Sequence, residues 1–228
     1  MPVHVDHEAG LAAFGSAVDA LLTAVNGWPE QAYWAPSHCR GWSVVDVVVH
    51  VHLGLQEAVL GLFDLVEEPA DTDAVGYWRS SPPATDPQAD GLDAAAFVRR
   101  VAAAYRRPSG AVAHLAATSR GVLRAAGRAT PGTVAFQGHR LGTGDLLATW
   151  AVEVAVHHLD VGRGPAVDPP APDALALARR TVEELCGAAL PASWPDARAV
   201  LLGTGRVDGD AAERRALAAL PTPPPVLG

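Results

Sequence analysis

The sequence contains no lysine and only two cysteines. All 17 basic residues are arginines, and 25 acidic residues outnumber them, so the formal net charge is −8. Such a chain lacks the excess of cationic side chains that nucleic-acid backbones attract, and we expect no nucleic-acid partner. The cysteines, Cys39 and Cys186, lie far apart and form no CxxC pair. This excludes a disulfide framework and indicates a reducing compartment.

Long uninterrupted apolar runs are also missing. The most apolar stretch, Val44 to Val66, is broken by several polar residues, so we expect that it does not span a bilayer. The N-terminal residues carry acid and histidine where a signal peptide needs a basic start and an apolar centre. We therefore expect a cytoplasmic protein with no membrane partner. Hydrophobic residues make up 49% of the 228 residues, which is enough for a proper core.

The apolar residues that are present recur mostly at helical spacing. The pattern predicts helices over about Glu8 to Val25, Ser43 to Val66, Leu92 to Ala104, Ala111 to Ala125, and Gly144 to Val161. Pro108 interrupts the third and fourth segments, which leaves open whether they form two helices or one kinked helix. Ser43 and Asp46 match a capping box at the start of the second helix. The sequence predicts a mainly α fold whose main body is an antiparallel four-helix bundle.

The remaining segments are read as loops and a smaller C-terminal region. Loops are predicted from Glu67 to Asp90 and from Gly127 to Gly144, the latter with a short strand at Thr133 to Phe136. After a Pro-rich stretch, the pattern predicts a helix, a strand and a short helix over Asp173 to Ala188, Ala199 to Leu202, and Ala211 to Leu220. We therefore predict a helical bundle over residues 1–165. Residues 166–228 are predicted to form a small mixed α/β appendage that packs near the site.

Three polar residues stand inside the apolar helices: His50 in the second, and Glu153 and His157 in the last. Burying an unpaired carboxylate is very costly, so these groups need partners. Glu153 and His157 are one helical turn apart and share a face, and a histidine from a facing helix can complete a metal site inside a bundle. Two imidazoles and one carboxylate would hold a divalent ion and leave a coordination position open.

Other polar residues lie near these three and are further candidates for ligands. His52 and His158 point away from the shared face and are excluded as direct ligands. Asp160 lies on the face of Glu153 and His157, where it could accept a hydrogen bond from an imidazole or simply be solvated near the helix end. Asp46 is assigned to helix capping, and Cys39 is kept only as a minor candidate for a thiolate ligand.

Two segments resemble a known family. Ser37-x-Cys39-x-Gly41-Trp42-Ser43-Val44-x-Asp46-Val47-Val48-x-His50 and Trp150-x-x-Glu153-Val154-x-Val156-His157-x-x-Asp160 resemble the two signatures of the mycothiol-dependent maleylpyruvate isomerase family, within the DinB-like superfamily. The resemblance covers roughly residues 8 to 165. It implies a DinB-like four-helix bundle with a divalent metal, usually zinc, on His50, Glu153 and His157.

The resemblance also implies an activity. A thiol bound to zinc loses its proton, and the resulting thiolate can attack an electrophilic carbon. With a maleylpyruvate-type substrate, addition, bond rotation and elimination give cis–trans isomerisation, whereas other electrophiles give a stable thioether. The implied partners are a small-molecule electrophile and a low-molecular-weight thiol, with mycothiol as cosubstrate. Family members use an arginine from the C-terminal region near the metal, and Arg206 is the candidate here, although it could equally be a surface residue after a tight turn.

Two other functions stay open at this point. Two histidines and one carboxylate also describe the iron site of non-haem oxygenases, which would make the protein a non-haem iron enzyme. Alternatively, the bundle could bind a small molecule or partner around a purely structural metal with a fourth ligand from Asp46, Asp160 or a cysteine. The sequence does not identify the electrophile or the oligomeric state.

Overall fold

Helices make up most of the computed structural model, which describes residues 4–80, 93–163 and 167–227. The helices in these ranges are α1 (His7–Val25), α2 (Val44–Leu62), α3 (Gly76–Ser80), α4 (Ala94–Ala103), α5 (Pro108–Ala126), α6 (Thr143–Val161), α7 (Pro172–Cys186), α8 (Asp196–Gly203) and α9 (Ala211–Ala218). The strands are β1 (Leu65–Val66), β2 (Thr133–Phe136) and β3 (His139–Gly142), paired antiparallel in the order β1-β2-β3. The prediction of a mainly α fold is confirmed.

The helix ends follow local capping rules. Ser43 and Asp46 form the predicted capping box at the start of α2, with the Ser43 backbone N–H donating to Asp46 Oδ2 at 2.8 Å. Asp6 caps α1 by accepting from the Ala9 backbone N–H at 2.8 Å. Pro108 is the first residue of α5, a position where its missing N–H costs no hydrogen bond. The third and fourth predicted segments are therefore two helices.

The loop predictions were partly right. The strand at Thr133–Phe136 is confirmed, but it pairs with two strands that the sequence analysis did not predict, β1 and β3. The predicted loop from Glu67 to Asp90 contains the short helix α3, and its residues 81–90 lie outside the described part of the chain.

Four helices of 19 residues each, α1, α2, α5 and α6, form the main body. α1 contacts α5 and α6, and α2 contacts the same two helices. Almost every residue of α6 is buried, because helices cover it on several sides. The buried position of α6 explains why a polar group on it must be matched by another polar group.

A close approach of two backbones sets the position of α6 against α1. A Cβ atom on Gly10 would collide with the Gly144 carbonyl oxygen, and one on Gly144 would collide with the backbone of Val5 and Asp6. We expect Gly144→Val to lower the free energy of unfolding by about 1–3 kcal/mol, because overpacking forces the backbones apart. Urea unfolding would measure this, with Gly15→Ala as the control, since a Cβ at Gly15 meets no atom within 4 Å. An unchanged midpoint for Gly144→Val would contradict the expectation.

Among the described C-terminal residues, 167–227, the regular elements are all helices, so the predicted mixed α/β character of this region was wrong. The apolar run Ala199–Leu202, predicted as a strand, lies inside α8. A short apolar run fits a strand or a buried helix equally well, and here packing on α6 and α7 selects the helix. Ala178 of α7 and Val200 of α8 belong to the same core as the main body. The predicted boundary at residues 165 and 166 lies outside the described residues.

Within the described residues, α1 and α2 are long and apolar enough to cross a membrane by length and composition alone, with mean hydropathies of 1.3 and 1.4. This corrects the expectation that the polar residues of α2 make its composition unsuitable for spanning a bilayer. In the structure, 44% and 56% of these two stretches are buried by the protein, and core helices of soluble proteins meet the same criteria.

Candidate metal centre

Three side chains from two helices meet between α2 and α6, where His157 is buried and His50 and Glu153 are half-buried. His50 Nε2 of α2 lies 3.0 Å from Glu153 Oε1 of α6, and His157 Nε2 lies 3.1 Å from the same oxygen. The two imidazole rings meet edge to face, with centroids 4.6 Å apart. The structure thus brings together the three residues that the sequence analysis proposed as metal ligands.

The spacing of this group fits a divalent ion. Its nitrogen and oxygen atoms all lie within 4.8 Å of one another. Ligand atoms on a tetrahedral zinc ion are separated by roughly 3.3 Å, because each lies about 2.0–2.2 Å from the metal. A small outward rotation of the imidazoles would therefore accommodate an ion. The group contains no fourth histidine, cysteine or carboxylate among residues 4–80, 93–163 and 167–227, so a coordination position would stay open.

Asp160 supports the group from the far side of His157. Its carboxylate is fully buried and accepts from His157 Nδ1 at 2.9 Å, from the Cys39 thiol at 3.0 Å, and from Arg206 Nε at 3.3 Å. A proton on Nδ1 satisfies this carboxylate and leaves Nε2 as the ligand atom on the side of Glu153. Such a hydrogen bond fixes the ring orientation and raises the basicity of a metal-binding imidazole.

The charges of these groups depend strongly on one another. Burial opposes the charged forms, but His157 and His50 together hold the pKa of Glu153 well below its usual 4.5. Burial likewise opposes protonation of His157, yet Glu153, Asp160 and Cys39 hold its pKa well above the usual 6.5. Burial also raises the pKa of Asp160, and the hydrogen bond and charge of His157, helped by Arg206, outweigh this and lower it. These interactions favour the protonated form of His157 beside the ionised form of Glu153 when no metal is bound.

The loop before α2 is attached to the end of α6. The His38 backbone N–H donates to the Asp160 carbonyl oxygen at 3.0 Å, and Arg163 Nη1 donates to the Ser37 carbonyl oxygen at 2.9 Å. These bonds place Cys39 beside Asp160, where Cys39, His157 and Asp160 form a second group with metal-ligating atoms within 4.8 Å. Cys39 was only a minor candidate for a thiolate ligand on sequence grounds, and nothing in its local pattern indicated this contact.

Arg206 reaches the site from the C-terminal region. Its Nη1 also donates to the Leu227 carbonyl oxygen at 2.8 Å, and its side chain is 13% exposed. The turn that directs it inward needs a glycine at residue 205, where φ is +68° and a Cβ would lie 2.9 Å from Pro225 Cβ. Arg206 is thus a largely buried residue that contacts Asp160, which differs from the alternative interpretation as a surface arginine.

The remaining candidates lie away from the group. His52 Nδ1 is 3.0 Å from Thr118 Oγ1, and His158 Nε2 donates to the Asp168 carbonyl oxygen at 2.8 Å. Neither histidine belongs to a potential metal-binding group among the described residues, in keeping with their exclusion. The assignment of Asp46 to helix capping is confirmed.

Two cavities lie on either side of the ligand group. One of about 310 Å³ is lined by His50 and Glu153 together with aromatic residues, including Trp150. The other, of about 650 Å³, is lined by Cys39 and by three arginines, Arg40, Arg163 and Arg206. The sequence signal for the lining residue Trp150 is its spacing, because Trp150 is nearly one helical turn before Glu153 and so shares its face.

Comparison with protein families gave one match. The family described as "Mycothiol maleylpyruvate isomerase N-terminal domain" matches residues 14–162, which include all three candidate ligands and Asp160. No curated protein matches the chain, and no solved structure matches it.

Proposed function

The chain belongs to the mycothiol maleylpyruvate isomerase N-terminal domain family. We propose that it is a zinc-dependent enzyme that activates a thiol as a nucleophile. In this proposal a low-molecular-weight thiol, with mycothiol as the candidate, attacks an electrophilic small molecule. The outcome is either isomerisation of the electrophile or formation of a thioether. The observation that carries the proposal is the convergence of His50, Glu153 and His157 on one point next to a cavity.

The proposal extends to the fold. The pairwise packing of α1, α2, α5 and α6 supports the DinB-like four-helix bundle that the family resemblance implies. Residues 1–165 would form this bundle, and residues 166–228 would complete the site by supplying Arg206. The hydrogen bond of Arg206 to Asp160 supports such a role for the C-terminal region.

A divalent ion in this group would supply a Lewis acid that lowers the pKa of a bound thiol, so that the thiol reacts as a thiolate near neutral pH. The protein's own contribution is to hold the ligands in the correct form. Asp160 keeps the proton of His157 on Nδ1, and Glu153 supplies the single negative charge of the ligand set. Arg206 balances the buried charge of Asp160.

A purely structural metal fits the described residues less well. That alternative required a fourth ligand from Asp46, Asp160 or a cysteine. Asp46 caps α2, and both Asp160 and Cys39 face Nδ1 of His157, whereas the candidate ligand atom is Nε2. An open position on the ion is what a catalytic site needs.

The proposal is tested by the zinc content of matched histidine variants. We expect the wild-type protein, purified without chelator, to hold about one zinc per chain, and His50→Ala to hold almost none, because two ligands rarely retain zinc. His52→Ala is the matched control, since His52 lies on the same helix and contacts Thr118 instead. Elemental analysis gives the metal content. Equal zinc in wild type and His50→Ala would overturn the proposal, and bound iron in place of zinc would favour an oxygenase.

A further inference from the structure

The cavity beside the ligand group has an apolar lining. It encloses about 310 Å³ and reaches His50 and Glu153, two of the three candidate ligands. Its apolar side chains come from α2, α3, α4 and α6, and they include Leu53, Tyr77, Trp78, Phe97, Val98 and Trp150. An apolar cavity of about 150 Å³ is enough to bind benzene, so this one has room for a substituted ring.

The lining among the described residues contains no cationic side chain. Its charged groups are Glu153 and Glu57, and Glu57 Oε1 accepts from Gln137 Nε2 at 2.6 Å. Arg79, on the same short helix as Trp78, donates instead to the Glu184 carbonyl oxygen at 2.8 Å. The segment of residues 81–92, outside the described part, contains two aspartates and no arginine or lysine in its sequence.

The charge balance disfavours an anionic substrate in this cavity. With a divalent ion in place, the carboxylate of Glu153 leaves one positive charge, and the carboxylate of Glu57 opposes it. A dicarboxylate such as maleylpyruvate would bring two negative charges into an apolar cavity without an arginine to pair with them, which is costly.

The arginines of the second cavity do not supply this pairing. Neither His50 nor Glu153 is among the residues that line that cavity. Arg163 donates to the Ser37 carbonyl oxygen, and Arg206 donates to Asp160 and to the Leu227 carbonyl oxygen. Arg163 and Arg206 are thus held by these bonds on the Nδ1 side of His157, and Arg40 lines the second cavity but not the cavity beside His50 and Glu153.

We propose that the electrophile of this protein is a neutral, largely apolar molecule of about one substituted ring, held against Trp78, Phe97 and Trp150. This inference rests on the proposed function and names the substrate class for the same site. In a substitution on such a molecule, the thiol sulfur forms a bond to carbon as the bond to the leaving group breaks. The leaving group takes the bonding electron pair, and the thiol proton passes to solvent.

Binding of two probes tests the substrate class directly. We expect 1,3-dinitrobenzene, a neutral ring, to bind at least about 10-fold more tightly than maleate, a dicarboxylate, because only the neutral ring avoids unpaired charge in the cavity. Isothermal titration calorimetry on zinc-loaded and zinc-free protein measures both affinities. Tighter binding of maleate than of dinitrobenzene to the zinc-loaded protein would overturn the inference.

Two cavity variants locate the binding. Ala94 lines the cavity from an exposed position at the start of α4, so Ala94→Trp should fill the cavity without disturbing the core and weaken dinitrobenzene binding about 10-fold. Glu57→Arg places a cation at the exposed edge and should strengthen maleate binding several-fold, with Glu57→Gln as its matched control. Unchanged dinitrobenzene binding in Ala94→Trp would also overturn the inference.

The experiments distinguish a failure of the proposed metal chemistry from a failure of the proposed substrate class. The first outcome is that His50→Ala retains zinc, while dinitrobenzene binds the wild-type protein and binds Ala94→Trp more weakly. The proposed metal chemistry is then wrong, and the assignment of the cavity stands. If zinc requires His50 but maleate is the preferred probe, the metal chemistry stands and the neutral substrate class is wrong.

Discussion

Replacing Glu153 with glutamine will lower the affinity for zinc on the order of 100-fold or more, which corresponds to at least about 2.7 kcal/mol. Glutamine keeps the volume of the side chain and an acceptor oxygen, but it removes the only negative charge in the group of His50, Glu153 and His157. Losing a direct ligand charge should cost more than losing a hydrogen-bonding partner of a ligand, which typically costs about 10- to 100-fold. Competition with a zinc chelator measures the change.

The same variant should alter how stability depends on pH when no metal is bound. Glu153 has a lowered pKa, so its contribution is present above its usual 4.5 and is lost as pH falls through the lower folded value. His157 has a raised pKa, so its contribution is present below its usual 6.5 and is lost as pH rises through the higher folded value. The ion pair therefore stabilises the metal-free fold between these two limits.

Among the groups that raise the pKa of His157, the charge of Glu153 has the largest effect. Glu153→Gln removes this charge, while Asp160 continues to raise the pKa of His157. We expect the metal-free variant to lose less stability than the wild type as the pH rises above 6.5, the usual pKa of histidine. Urea unfolding of chelator-treated protein over this range gives both curves. Parallel curves would show that Glu153 and His157 are not coupled, and unchanged zinc affinity would show that Glu153 is not a ligand.

Replacing Asp160 with alanine should destabilise the protein by about 3–5 kcal/mol, the usual cost of removing one partner from a buried charged pair. Asp160 is fully buried and accepts from three donors, His157, Cys39 and Arg206. Its removal leaves the largely buried guanidinium of Arg206 without its carboxylate partner. Loss of the bond to His157 Nδ1 should also lower zinc affinity about 10- to 100-fold.

A double-mutant cycle separates these two effects. Arg206→Met removes the buried charge that Asp160→Ala would strand, so the double variant should recover part of the lost stability. It should not recover zinc affinity, because the hydrogen bond to His157 stays absent. Chemical unfolding gives the coupling in stability, and chelator competition gives the zinc affinity. Strictly additive stability losses would mean that Arg206 and Asp160 do not interact in solution.

The helices that carry the site were predictable because their signals are local. Apolar spacing and the Ser43–Asp46 capping box located α2. On α6, the spacing of one turn was enough to place Glu153 and His157 on a shared face. α8 was not predicted, since a short apolar run has no period long enough to distinguish a helix from a strand.

The contacts around the ligands could not be predicted in this way. Cys39 reaches Asp160 only because the loop before α2 forms hydrogen bonds to the end of α6, and Arg206 arrives through a turn that follows α8. Each contact joins segments far apart in the chain, and no periodic pattern records which distant loop will dock where. The strands β1 and β3 were missed for the same reason, because each is defined by its pairing with β2.

The sequence by itself determined that three polar side chains within apolar helices would need partners, since a carboxylate in apolar surroundings cannot stay unpaired. The sequence also contains the two segments that resemble the family signatures, and these segments include the candidate ligands. Only the tertiary structure decided what surrounds these ligands: a buried carboxylate behind His157, arginines on one side and an apolar cavity on the other. Periodicity specifies which face of a helix is buried, whereas the neighbours of that face are chosen by the packing of the whole chain.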